Sequence, residues 1–177
     1  MLPQFTLVLG GAASGKSDFA ESLARDWHPA RLYVATAEAG DAEMQAKVAA
    51  HKARRGQGWE LREEPLELAR VLEQVPPGRV VLVDCATMWL ANLQASRQPA
   101  GPALTRLIQA IQACKAPVIM VSNELGQGVV PANAAARAFR QAHGEMNRHL
   151  AHEAGLVVMV VAGLPMVLKG ALPVAGG

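Results

Sequence analysis

The stretch Phe5–Ser17, F-T-L-V-L-G-G-A-A-S-G-K-S, decides how the rest of the chain is read. Phe5–Leu9 is a short apolar run and predicts a buried strand that enters a glycine-rich turn at Gly10-Gly11. Gly15–Trp27 then takes helical periodicity, with Phe19, Leu23 and Trp27 at four-residue steps, and His28-Pro29 stops it. Between strand and helix, Gly10-Gly11-Ala12-Ala13-Ser14-Gly15-Lys16-Ser17 fits the pattern G-x-x-x-x-G-K-S/T. Each residue type has a reason. The glycines let the backbone curl until successive N–H groups point at phosphate oxygens. The helix starting near Gly15 adds its positive dipole end. Lys16 can reach the β- and γ-phosphates, and Ser17 can offer a hydroxyl to Mg²⁺. The expectation is a P-loop that binds the phosphates of a nucleotide.

Working outward, short apolar runs alternate with amphipathic segments. Arg31–Ala35, Val80–Val83, Val118–Ser122 and Leu156–Ala162 read as strands, and Trp59–Arg62 as a brief one. Asp41–Ala53, Pro65–Val75, Ala86–Ala95, Ala103–Cys114 and Asn133–Glu153 read as helices. Asp41 is an N-cap, Pro65 a first helical residue and Gly155 a C-cap. Phe139, Ala142, Met146 and Leu150 form one stripe on the last and longest helix. Ser96–Pro102 reads as the least ordered part, Glu124–Pro131 as a glycine-rich loop, Pro165–Lys169 as a short edge piece and Ala171–Gly177 as a loose tail. Strands without polar alternation are buried on both faces. The expected fold is therefore α/β: one domain over 1–177 with a mostly parallel sheet flanked by helices. The run Val80–Asp84 is the natural partner strand of the loop. An acid at its carboxyl end can hold Mg²⁺, though a strand ending in Asp is common in any α/β protein.

Composition narrows the class. The 177 residues are half apolar and 18% charged, which excludes disorder, and a net charge of +2 gives no reason to expect bulk nucleic-acid binding. The two cysteines, Cys85 and Cys114, lack metal-ligand spacing and read as buried thiols in a reducing compartment. No basic leader precedes the first motif, and Leu156–Leu168, broken by Gly163 and Pro165, falls short of the ~20 residues of a membrane span. A cytoplasmic protein is expected.

One local imbalance stands out. His51-Lys52-Ala53-Arg54-Arg55 is basic, Lys47 precedes it by one helical turn, and no acid occurs between Glu43 and Glu60. Such a patch suits polyphosphate, and a histidine inside it can attack phosphorus. His51 also shares a helix face with Met44 and Val48, so the pattern alone favours a packed helix-end histidine in a solvated basic face over a nucleophile. His28, His143, His149 and His152 have no such charged setting; His149 and His152, at i and i+3, read as helix surface.

Taken together, the residues resemble a known family. G-G-A-A-S-G-K-S, Y-V-A-T-A-E, D-A-E-M, A-H-K-A-R-R and W-E-L-R-E-E-P occur in that order. V-D-C-A-T-M-W-L-A-N-L, V-S-N-E-L-G-Q-G-V-V-P and V-A-G-L-P-M-V-L-K-G follow. This succession, from about Thr6 to Gly170, is similar to the bifunctional adenosylcobinamide kinase/adenosylcobinamide-phosphate guanylyltransferases of cobalamin biosynthesis. The resemblance implies a RecA-like P-loop fold and two reactions: ATP- or GTP-dependent phosphorylation of adenosylcobinamide, then transfer of GMP from GTP, through a guanylylated histidine, to adenosylcobinamide phosphate. It implies that His51 carries the GMP and that Gly10–Ser17, with Lys16, hold the triphosphate. Ala35, Thr36 and Ala37 would line the GTP site, and Lys52, Ala53, Arg54 and Arg55 would contact GTP. Glu63, beside Glu64, and Asp84 match nucleotide-site acids, with Mg²⁺ held by Ser17 and Asp84. A homo-oligomer, a trimer, is also implied, with adenosylcobinamide, its phosphate, GTP and ATP as partners and no nucleic acid. Ala13 stands where many members carry Arg, and Ala50 where some carry a second histidine. Asn123–Pro131 is either a substrate-contacting loop or a structural turn.

Overall fold

The computed structural model describes residues 1–37 and 58–173. The strands are β1 (Phe5–Gly10), β2 (Arg31–Ala35), β3 (Trp59–Glu63), β4 (Val80–Asp84), β5 (Val118–Asn123), β6 (Leu156–Val161) and β7 (Leu164–Lys169). The described helices are α1 (Lys16–Trp27), α2 (Leu68–Glu73), α3 (Ala86–Ala95), α4 (Ala100–Ala113) and α5 (Ala134–Glu153). Among the described residues the strands form one sheet in the order β3-β2-β4-β5-β1-β6-β7. Every neighbouring pair is parallel except β6 and β7, which are antiparallel.

Parallel strands need helical crossovers, and crossovers bury both faces of a sheet. The central strands obey: β1 is buried along its whole length, and β4 and β5 are buried up to their last residues. Alternate side chains enter two separate cores. On one face Val8, Leu82, Ile119, Val121 and Val158 pack with Ala20 and Ala24 of α1. On the other, Leu7, Val81, Val83, Val118 and Met120 pack with Leu72 of α2, Trp89 and Leu93 of α3, Leu107 and Ile111 of α4, and Met146 and Leu150 of α5. Each fully buried Leu or Val removes enough apolar area from water to contribute roughly 1.5–3 kcal/mol.

Several expectations change in detail. The strand ending in Asp84 is not hydrogen-bonded to β1; β5 lies between them, paired in parallel with both. Helix α2 is shorter than Pro65–Val75, because the Glu64 carboxylate accepts the N–H groups of Leu66 and Glu67 and turns the chain first. Pro65 therefore sits in that turn and not at the start of a helix. Residues 96–102 are ordered: Gln98 N–H donates to Leu93 O, and α4 already runs from Ala100. Pro102 is tolerated there because the first turn of a helix leaves its N–H groups unpaired anyway. Helix α5 ends at Ala154, in extended backbone, so Gly155 is not its C-cap. Gly155 is needed for room instead, since a Cβ there would meet Pro3 Cβ at 2.8 Å. The edge piece is a full strand, β7, joined to β6 by a tight turn with Ala162 at φ 51° and Gly163 at φ 79°. Positive φ at both central residues matches the twist of the hairpin, and Pro165 fits because an edge strand can lack a donor. The expected helix over Asp41–Ala53 and most of the tail from Ala171 lie outside the described residues.

Leu82 is wholly buried at the middle of β4. Leu82→Ala is expected to cost about 2–5 kcal/mol of unfolding free energy. Urea titration followed by circular dichroism will read this as a lowered midpoint with the slope unchanged.

Candidate functional site

All parallel strands of the sheet end at one edge, and the residues singled out in the described sequence collect there. Register places Glu63, Ala35 and Asp84 side by side at the ends of β3, β2 and β4, with Val121 of β5 next in the row. Gly10 ends β1 opposite Asn123 of β5. The chain then curls through residues 11–15 into α1.

That curl is built by contacts that need small residues. Gly10 has no room for a side chain, since a Cβ would run into Ser14 Oγ and lie 2.8 Å from Val160 O. Ser14 N–H donates to Gly11 O at 3.3 Å, and Gly163 N–H donates to Ser14 O at 2.8 Å. Gly15 adopts φ 88°, a left-handed conformation that glycine takes without strain, and so aims α1 away from the sheet. Ala13 is also left-handed, at φ 55°, and is exposed. Lys16 Nζ reaches back over the loop to donate to Gly11 O at 3.2 Å. Ser14 Oγ is buried and has no hydrogen-bond partner among the described residues. An orphaned hydroxyl inside a loop of backbone donors is what an anionic ligand would satisfy.

The acidic side of the edge is equally fixed. Asp84 is half-buried, and Tyr33 Oη donates to its Oδ2 at 3.0 Å. Thr36 is fully buried. Its hydroxyl accepts from Cys85 N–H and donates to Cys85 O, both at 2.7 Å, while its own N–H donates to Asp84 O. Thr36 thus locks the end of β2 to the end of β4, its hydroxyl proton spent on Cys85 O. Ala35 and Ala37, on either side of it, are partly exposed at the same edge. Burial and then the Asp84 charge push the Cys85 thiol up to about 11, so it stays protonated and inert. Of the two adjacent acids, Glu64 is committed to its turn, whereas Glu63 is exposed at the strand end. His51, Lys52, Ala53, Arg54 and Arg55 lie outside the described residues.

For Mg²⁺, the donors at hand are the Ser17 hydroxyl and the Asp84 carboxylate, both hard oxygens of the kind that ion prefers. No group of three or more His, Cys, Asp or Glu occurs among the described residues.

A second polar cluster lies directly behind this edge, built of residues to which no site motif of the sequence gives a role. Thr87, Ser122, His143 and Asn147 are all buried. Ser122 Oγ donates to Asn147 Oδ1 at 2.7 Å, and Asn147 Nδ2 donates to Asn123 O at 3.0 Å. Asn123 N–H donates to Thr87 Oγ1 at 2.9 Å, and Thr87 Oγ1 lies 3.0 Å from His143 Nε2. The same ring nitrogen is 3.3 Å from Ser122 Oγ, so one edge of the imidazole meets both hydroxyls. Burial lowers its pKa, and the Glu124 charge offsets this in part. A signal was present in the sequence: His143 and Asn147 are one helical turn apart on the stripe that carries Phe139, Met146 and Leu150.

The architecture places the chain among α/β proteins with a mostly parallel sheet flanked by helices. It shares this fold with the RadB recombinase, at 20% identity and a TM-score of 0.53 over 89% of this chain and 74% of that one. An ATPase from a bacterial type III secretion system is a further likeness, at 12% identity and a TM-score of 0.58 over 94% of this chain and 57% of that one. Within the class the particular family is defined by sequence. Residues 6–168 match the family described as cobinamide kinase / cobinamide phosphate guanyltransferase, and the chain belongs to it. The bifunctional adenosylcobalamin biosynthesis protein CobP of Pseudomonas aeruginosa is 44% identical over 93% of this chain and 96% of its own length. The bifunctional protein CobU of Escherichia coli is 36% identical over 92% and 98%. The chain is thus a bifunctional cobalamin-biosynthesis enzyme, a kinase and guanylyltransferase. No helix of the described residues is long and apolar enough to cross a membrane.

Two measurements test the site. Gly10→Ala drives a methyl group into Ser14 Oγ and the Val160 carbonyl and is expected to abolish nucleotide binding by calorimetry. His143 gives a pH signature. Its folded pKa lies below the ordinary value of 6.5, so its contribution to stability is complete above that value and is lost as pH falls through the folded one. Melting temperatures at neutral and mildly acidic pH should differ more for the wild type than for His143→Gln, which cannot titrate.

Proposed function

We propose that Gly10–Ser17 is the P-loop of a RecA-like nucleotide fold and that it serves both reactions of this enzyme. The observation that carries the reading is the Gly10–Ser17 curl at the carboxyl edge of the sheet, with its orphaned Ser14 hydroxyl and overarching Lys16. The triphosphate of ATP or GTP lies on the backbone N–H groups of residues 10–17, with Lys16 on its β- and γ-phosphates. Ser17 and Asp84 would hold Mg²⁺, which would supply positive charge to the transferring phosphates. Tyr33 and Thr36 keep Asp84 in place. Ala35, Ala37 and Glu63 border the nucleotide on the β2–β3 side of the edge.

In the kinase step the hydroxyl oxygen of the aminopropanol arm of adenosylcobinamide bonds to the γ-phosphorus. The bond from that phosphorus to the bridging oxygen breaks, and a nucleoside diphosphate leaves. Such transfer requires alignment and charge neutralisation more than covalent help. The guanylyl step differs because the α-phosphorus is attacked. A neutral His51 nitrogen bonds to it as pyrophosphate departs, and Lys52, Arg54 and Arg55 absorb the charge on the leaving group. An oxygen of adenosylcobinamide phosphate then displaces His51, giving adenosylcobinamide-GDP. The family resemblance supports this assignment of His51, and Ala50 beside it leaves one histidine in the motif.

The active form is a homo-oligomer, a trimer by family resemblance. Strand β7 supports an assembly: it is an edge strand, and Leu164, Met166 and Leu168 are each more than half exposed.

His51→Ala is expected to abolish incorporation of label from α-³²P GTP into the protein while phosphorylation of adenosylcobinamide continues. Acid-quenched gels and mass spectrometry of the corrinoid read the two outcomes separately. Equal loss of both activities would show His51 to be structural.

A further inference from the structure

We infer that Asn123 is a catalytic residue of the kinase reaction, its carboxamide donating a hydrogen bond to the phosphoryl group in transfer. The inference rests on reading Gly10–Ser17 as the nucleotide's phosphate loop, and it adds a residue to that site.

Placement comes first. β5 lies between the strand that ends in Asp84 and the strand that enters the loop, so its end is the middle of the edge. Asn123 is the last residue of β5 and stands in register with Gly10, while Asp84 stands in register with Val121, two residues earlier. Side chains alternate along a strand. Ile119 and Val121 enter the core on the α1 face, Val118 and Met120 the opposite core, and Ser122 points into the polar cluster under α5. Asn123 therefore shares the α1 face with Asp84, whose neighbour Leu82 packs there. That is the face on which Lys16 and Ser17 begin α1. A phosphate tail on the loop has Lys16 on one side, Asp84 with its ion on the other, and Asn123 between.

The chemistry of the residue suits the place. The Asn123 carboxamide is partly exposed and has no hydrogen-bond partner among the described residues. It offers two donor hydrogens and carries no charge that would repel phosphate or compete with Asp84 for the ion. Its position is held to an unusual degree, because both of its backbone groups are bound by buried side chains. Thr87 accepts its N–H and Asn147 donates to its carbonyl. His143 and Ser122 complete the network that orients those two groups. The next residue, Glu124, donates its N–H to Gly10 O at 2.9 Å and so ties the end of β5 directly to the loop. Holding one neutral donor this firmly, with buried polar groups in an otherwise apolar layer, is a preorganised donor aimed at developing charge. During transfer the hydroxyl oxygen gains the phosphorus, the bridging oxygen keeps the bonding electrons, and the hydroxyl proton passes to solvent. Asn123 moves no proton.

Asn123→Ala and Asn123→Asp test this in the full chain, with Mg²⁺, GTP and adenosylcobinamide. Both are expected to lower kcat of the kinase step by about 100-fold, the usual effect of deleting one such donor, with the Kd for GTP within about threefold of wild type. Asp should be no better than Ala, because it matches Asn in shape but replaces the donor with negative charge. If Asn123→Ala has no cooperative thermal transition, Asn123→Asp decides. A folded variant with near-wild-type kcat overturns the inference, as does a loss of GTP affinity equal to the loss of rate. Lys16→Ala separates the two levels. If it binds and turns over nucleotide normally, the phosphate-loop reading fails. If it is inactive while the Asn123 variants are not, only the role of Asn123 fails.

Discussion

The constraint on which the loop depends is the lack of room for a side chain at Gly10. Strand β1 must run into the sheet edge and turn at once, and the space a Cβ would need is taken by Ser14 and by the Val160 carbonyl of β6. The loop, the start of α1 and the neighbouring hairpin turn at Gly163 are therefore one packed unit, tied by Gly163 N–H to Ser14 O. Backbone donors gather there because the chain has no room to do otherwise. The parallel sheet supplies the rest of the constraint. Its strands must all end on the same side, so every group brought to a strand end is brought to the loop.

The edge is stiffened from behind. Tyr33 and Thr36 fix Asp84 from β2, and the cluster of Thr87, Ser122, His143 and Asn147 fixes Asn123 from α3 and α5. Buried polar groups are costly unless each finds a partner, and these do. The buried Ser14 hydroxyl, inside the loop itself, is not satisfied by any of the described residues. Transfer chemistry of the family's kind gains rate from donors that need not reorganise. A rigid edge that leaves the Ser14 hydroxyl and the Asn123 carboxamide without partners among the described residues is consistent with that demand.

Much of this was legible in the chain. Unbroken apolar runs such as Val80–Val83 can only be strands covered on both faces, which gives the parallel sheet. G-x-x-x-x-G-K-S between such a run and an amphipathic helix gives the loop, and the succession of motifs gives the family. Less legible were features that depend on what lies across the fold. Glu63 and Glu64 are indistinguishable in sequence, and only the turn at Leu66 and Glu67 shows which carboxylate is spent. That the Thr36 hydroxyl bonds Cys85 across the sheet is equally invisible along the chain. Gly155 reads as a helix cap because its neighbour Pro3 is distant in sequence.

The chain by itself determined the alternation of strands and helices, the glycine-rich turn between the first strand and helix, and the family, because these depend on local periodicity, glycine geometry and motifs read along a single line. Strand order, the place of β5 between Asp84 and the loop, and the union of Thr87, Asn123, His143 and Asn147 were decided by the tertiary structure. Those arise from pairings between segments far apart in sequence, and no local pattern specifies which two strands lie side by side.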